Sequence, residues 1–138
     1  MKILLAVDGS PYTKRMLGYV AANEDVLGGH QEYTVLTVVP AVPPGIRSFV
    51  DTLDSYYGDE AREVLEPVKR FMSQKGWKTE TEYKVGHAGD AIAERASSGD
   101  FDLLVMGSQG HSALATAVLG SVAARVVAQC KTPVLIIR

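Results

Sequence analysis

The sequence contains a single cysteine, Cys130, in 138 residues. Neither an intrachain disulfide nor a thiolate metal cluster can be built from it, and a reducing cytoplasm is the compartment that fits. A small buried apolar side chain is the ordinary fate of such a residue. Long apolar runs are also missing. The opening MKILLAVDGS imitates a signal peptide, but its apolar run, Ile3 to Val7, stops at Asp8, and no later run is long enough to span a bilayer. No membrane partner is expected. Positive charge is not in excess either: 14 Lys and Arg against 16 Asp and Glu leave a net charge of -2, with no basic stripe to track a phosphate backbone, which argues against nucleic acid. His30, His87 and His111 fall in three different connections, none with a partner at metal-ligand spacing. Repeats, linkers and low-complexity tracts are lacking, so one domain spanning residues 1–138 is expected.

What is present is a regular alternation. Strand-like runs occur at 2–8, 33–40, 78–86, 102–108 and 133–138, with helical stretches between them, a βαβαβαβαβ order. Runs one, two, four and five are near-continuous Val, Ile and Leu, as in a parallel sheet covered by helices on both faces. The third alternates Thr79, Thr81, Tyr83 and Val85 with Glu80, Glu82 and Lys84, the pattern of a half-exposed strand near an edge. The first helix follows Ser10-Pro11, an N-cap and a proline at the first helical position, and runs through Met16, Leu17 and Val20. A second is expected around 56–75, stopped by Gly76, and a third at 88–98. The last, 121–130, carries Val122, Val126, Val127 and Cys130 on one face. The connection AVPPGIRSFVDTLDS has a Pro-Pro-Gly core that excludes regular structure, and its length suits either a lid over a site or a passive excursion. The run DEAREVLE, 59–66, reads as a solvated helix face, and Tyr56-Tyr57 as core or lid packing, with stacking on a base as the alternative.

In an open parallel α/β sheet, ligands bind beyond the carboxyl ends of the strands where the strand order reverses. The segments there are Asp8-Gly9-Ser10, Val38-Val39-Pro40 and, after the fourth strand, GSQGHSALATAVLGS at 107–121. Gly107 and Gly110 let a turn present bare backbone amides to an anion, because a Cβ would hold the ligand away. Gly120-Ser121 then opens a helix whose first amides lack intrahelical acceptors and whose dipole is positive, with Ser121 available as cap or hydroxyl donor. A strand end and a helix cap with no ligand account for the same residues equally well. The loop lysine of G-x-x-x-x-G-K-[ST] is absent, and no G-x-G-x-x-G follows the first strand, so neither of those phosphate-binding fingerprints applies.

G-x2-G-x9-G-S after the fourth strand, VDGS after the first and the closing PVLIIR together resemble the universal stress protein family, in its ATP-binding branch, over the whole chain. The resemblance implies a three-layer, Rossmann-like α/β fold with an open parallel five-stranded sheet in order 3-2-1-4-5. It implies adenine and ribose beside Ala6, Asp8 and Val38, Met106 in the pocket wall, and phosphates on Gly107, Gly110, Gly120, Ser121 and the amide of Val122. ATP, AMP or ADP would be the ligand. The turn reads Ser108-Gln109-Gly110-His111 and carries no permanent cation, so Mg²⁺ accompanying the phosphates is the expected compensation. The resemblance and the apolar last strand, Pro133 to Arg138, both point to a homodimer joined along that edge.

The expected role is a nucleotide-dependent regulatory module of a stress response, cytoplasmic, with an unidentified protein partner. A slow Mg²⁺-dependent ATP hydrolase is the alternative. No Ser-His-Asp set or paired carboxylates stand near the glycine turn, so turnover below roughly 0.01 per second is expected, against the 1 to 100 per second of kinases. A receiver-like phosphoacceptor domain would make Asp8 part of an acidic site. It would also need an aspartate closing the third strand and a lysine after the fifth, whereas here Gly86-His87 closes the third and Lys131 precedes the fifth.

Overall fold

Residues 1–49, 52–111 and 119–138 are described by the computed structural model, with 47–49 as backbone only. Residues 50–51 of the long connection and 112–118 of the glycine segment lie outside the described residues. Strands β1 (Lys2–Ala6), β2 (Glu32–Val39), β3 (Thr79–Val85), β4 (Leu103–Gly107) and β5 (Val134–Ile137) form one parallel sheet in the order β3-β2-β1-β4-β5. This is the expected order. It differs from the 2-1-3-4-5 winding of receiver domains, which removes that alternative. The register sets Ala6 opposite Leu36 on one side and Met106 on the other, so the three strands end together at one rim.

Side-chain alternation along the strands divides the core in two. On one face Ile3, Leu5, Val35 and Val105 are fully buried beneath α1 (Pro11–Ala22) and α3 (Leu53–Gln74), which contribute Met16, Val20, Val68 and Met72. On the other, Leu4, Leu36, Leu104 and Met106 lie beneath α4 (Ala88–Ser98) and α5 (Ser121–Gln129), against Ile92, Ala96, Ala123 and Val126. Each such aliphatic side chain stabilises the fold by about 1.5–3 kcal/mol relative to exposure. At the amino ends of β2 and β3, Trp77 stacks on Tyr33 with ring centroids 5.7 Å apart and meets Phe71 edge-on at 6.2 Å. Burial there pushes the Tyr33 phenol up to about 12.

Several expectations shift. The Pro-Pro-Gly connection is not devoid of regular structure: Pro44–Phe49 forms a 3-10 helix, whose short turn accepts proline at its start. Tyr57 anchors this connection, its hydroxyl accepting the Val42 amide proton at 2.9 Å, while Tyr56 is exposed. A four-residue helix, α2 (Glu24–Leu27), follows α1, and α3 begins at Leu53, before the expected start. Ser10 occupies the N-cap of α1, but its side chain makes no capping bond, and its buried hydroxyl has no hydrogen-bond partner among the described residues. In α5 the buried positions are Ala123 and Val126, with Val122 and Cys130 half-buried. Val127 is exposed, because a residue five positions from Val122 sits well round the helix from it.

Candidate functional site

The loop after β1 is fixed by its own side chains. The Thr13 hydroxyl accepts the amide protons of Asp8 and Gly9, each at 3.2 Å, and donates to Asp8 Oδ1, also at 3.2 Å. The Ser10 amide donates to the same carboxylate oxygen at 2.9 Å. Gly9 completes the turn at φ +77°, a backbone conformation that side-chain-bearing residues rarely adopt. From the β4 side His111 reaches across, its Nε2 2.6 Å from the Asp8 carbonyl oxygen. A carbonyl only accepts, so the imidazole donates.

Gly107 of the β4 segment is demanded by this packing, and Gly110 lies against Asp8. A Cβ on Gly107 would stand 2.6 Å from the Cβ of Tyr12, and one on Gly110 2.8 Å from Asp8 Oδ2. Neither has positive φ; at Gly107 the close approach of Tyr12 selects glycine, whereas at Gly110 a Cβ would meet only the movable end of the Asp8 side chain. At the other end of the segment, the Gly120 amide donates to the Ser108 carbonyl at 2.7 Å, which pins the start of α5 to the end of β4. Gly120 is the N-cap and Ser121 the first helical residue, not the cap. The first α5 amide with an intrahelical acceptor is that of Ala124, bonded to the Gly120 carbonyl. The amides of Ser121, Val122 and Ala123, the free donors of a helix start, therefore have no acceptor among the described residues.

These pieces surround one cavity of about 450 Å³ at the carboxyl end of the sheet, between β1 and β4 where the strand order reverses. Such a volume suits a nucleotide-sized molecule. Ala6, Val38 and Met106 line it from the strands, with Ile92 of α4 and Val122 of α5, and make its apolar bay. Asp8, Gly107, Gly110, Gly120 and Ser121 line its polar end. All nine residues expected at a ligand site thus border a single space. Among the described residues no lysine or arginine lines it, and its ionisable groups are Asp8, Glu60, His111 and the Tyr12 phenol.

Sequence reasoning missed the contribution of α3. Glu60 and Val64, within the run read as a solvated face, line the cavity, while Ala61 and Leu65 of the same run are buried. The i, i+4 spacing of Glu60 and Val64, beside the buried Ala61 and Leu65, was the available signal. Tyr12 and Thr13, one turn after Asp8, were missed as well. Pro40, just after β2, borders the cavity, whereas none of the described residues of 41–58 is among those lining it.

A doubly wound parallel sheet with its cavity at the switch point is the arrangement in which such folds take ligands beyond the strand ends. This chain belongs to the universal stress protein family, whose profile matches residues 1–138. It is 31% identical to universal stress protein YxiE of Bacillus subtilis, over 99% of this chain and 98% of that protein. It spans 42% of the length of universal stress protein Slr1230 of Synechocystis, to which it is 29% identical over 99% of its own residues. The solved structure of protein MJ0577 of Methanocaldococcus jannaschii superposes with a TM-score of 0.82 at 29% identity, covering 99% of this chain and 94% of that one. A universal stress protein of Archaeoglobus fulgidus, solved in complex with dAMP, superposes with a TM-score of 0.68 at 26% identity, covering 100% and 98%.

Proposed function

We propose that residues 1–138 act as one adenine-nucleotide-binding unit and that nucleotide occupancy is a regulatory signal. The observation that carries this reading is that one cavity is lined both by the apolar Ala6, Val38 and Met106 and by Ser121, Val122 and Ala123, whose amides have no acceptor among the described residues. A flat apolar base and an anionic tail require that pairing of surfaces. The dAMP complex of the Archaeoglobus relative supports the same choice of ligand. AMP, ADP and ATP are the candidate ligands. Among the described residues no three His, Cys, Asp or Glu side chains are grouped to hold a metal, so Mg²⁺ would arrive with the phosphates of ADP or ATP. Backbone amides and one hydroxyl hold a bound phosphate about as well as a transferring one, which favours a binder over a hydrolase. Denaturing the purified protein and identifying the released small molecule by mass spectrometry, then titrating AMP and ATP by calorimetry, tests the reading. Absence of any adenine compound in both experiments would refute it.

We also propose a homodimer through β5. The Pro133 and Ile137 carbonyls are used by β4, which turns the peptide groups of Val134 and Ile136 toward the open edge. A short Val-Leu-Ile-Ile edge pairs readily with its own copy. Ile136→Pro removes one outward donor without touching the β4 ladder, and light scattering should then report monomer. An unchanged dimer would move the interface elsewhere.

A further inference from the structure

We infer that the cavity is selective for phosphate number: as a free anion it takes an adenine ligand with one phosphate, and a second or third phosphate is admitted only when a divalent cation accompanies it. This rests on the adenine reading of the cavity above and narrows it.

The positive potential available is small and local. Among the described residues it comes mainly from the amides of Ser121, Val122 and Ala123, a helix start equivalent to roughly half an elementary charge, with the Ser121 hydroxyl beside them. That suits one phosphate. Two of the groups that line the same cavity, Asp8 and Glu60, are acidic. Asp8 Oδ2 points at Gly110, close enough that a Cβ there would be 2.8 Å away, so a phosphate cradled by the glycine turn lies beside that carboxylate. Glu60 borders the same space from α3. Val64, one turn further along that helix face, comes within 3.5 Å of a Cβ placed on Gly9, which brings this stretch of α3 over the β1 loop. His111 and the Tyr12 phenol are the other ionisable groups that line the cavity, and His111 Nε2 donates to the Asp8 carbonyl. Among the described residues no lysine or arginine borders the cavity, and the sequence 112–118, SALATAV, contains none.

A longer phosphate chain thus extends from a site of modest positive potential into one bordered by two carboxylates. Two unit charges roughly 6 Å apart at the effective dielectric near a protein surface repel enough to weaken binding tenfold or more. A divalent ion on the added phosphates cancels most of that charge before it meets Asp8 and Glu60.

Calorimetric titration of the full chain with adenosine, AMP, ADP and ATP, once in EDTA and once in excess Mg²⁺, tests the inference. In EDTA, AMP should bind several-fold more tightly than adenosine and at least tenfold more tightly than ATP. Mg²⁺ should bring ATP to within about threefold of AMP, and Glu60→Gln should narrow the EDTA gap without Mg²⁺. Higher ionic strength should narrow it as well, since exposed charges are screened. ATP binding in EDTA as tightly as AMP, or a gap indifferent to both Mg²⁺ and Glu60→Gln, would overturn the inference while leaving the adenine site standing. If neither adenosine nor AMP binds, the adenine reading falls and this one with it.

Discussion

On the α1/α3 face the sheet is covered by long and aromatic side chains, Met16, Leu65, Met72, Tyr33 and Trp77, and the packing continues to the amino ends of the strands. On the α4/α5 face the carboxyl rim mixes Met106, Ile92 and Val122 with short residues. Ala6, Ala88 and Ala123 stand there, and each also borders the cavity. The first face is packed tightly to the amino ends of the strands, while at the carboxyl rim the short residues of the second leave room for a cavity that Tyr12, Thr13, Glu60 and Val64 of the first also border. The difference shows how a parallel sheet reserves space for a ligand without an internal void: the void lies where the helices of the thinner face begin, beside the first amides of α5.

Truncation on the filled face gives the largest expected effect. Met72 is fully buried, and Met72→Ala should lower unfolding free energy by about 2–5 kcal/mol in urea denaturation. The remaining folded fraction should bind nucleotide with little change. Equal losses of stability and affinity would mean that the two faces are not separable. Enlarging a short residue at the rim should do the reverse. Ala6→Leu projects into the bay and is expected to weaken AMP binding more than tenfold, above ~1.4 kcal/mol, in calorimetric titration. Its thermal midpoint should move far less than that of Met72→Ala.

The smallest effect concerns the clasp that holds the thinner face together. Asp90 of α4 accepts from Arg125 Nε at 2.7 Å and Gln129 Nε2 at 3.0 Å, both on α5. The hydrogen bond from Arg125, then that from Gln129, and the positive charge of Arg125 hold the Asp90 carboxyl below the usual carboxylate range. A carboxyl lowered in the folded state adds stability above its unfolded pKa and loses it as pH falls through the folded value. Wild type should therefore exceed Asp90→Asn slightly at pH 7, and the difference should shrink below about pH 4 and vanish under the lowered pKa. Denaturation across that range measures it. A gap independent of pH would mean that geometry rather than charge makes the clasp.

Most of this division was legible in residue pattern. The near-continuous Val, Ile and Leu of β1, β2 and β4 require cover on both faces, and the alternation of Glu80, Glu82 and Lys84 in β3 marks an edge, where that strand lies. The rule that ligands meet the carboxyl ends of such strands pointed to the segments that hold Asp8, Val38 and Gly107, whereas Ala6 and Met106 came from the resemblance to the family. Glu60 did not follow. Its place depends on how α3 lies across the β1 loop, a tertiary choice that helical periodicity alone leaves open. Gly107 and Gly110 were legible as positions that exclude a Cβ, but the neighbours that a Cβ would meet, Tyr12 and Asp8, come from a different strand-helix junction and emerge only when β1 and β4 pair. Val127 was misplaced for a simpler reason: five residues overshoot one turn and a third of the next, and the valine repeat looked like a face that the helix does not have.

The aromatic group at the foot of the sheet gives the protein a built-in optical label. Trp77 is the one tryptophan of the sequence, and it is buried against Tyr33 where β2 begins, whereas the cavity opens where β2 ends. A strand of that length separates them by some 25 Å. Indole emission should therefore shift when the core opens to water and stay nearly constant when a nucleotide enters the cavity. The same cuvette can then follow unfolding through Trp77 and occupancy through a fluorescent adenine analogue, as two independent signals.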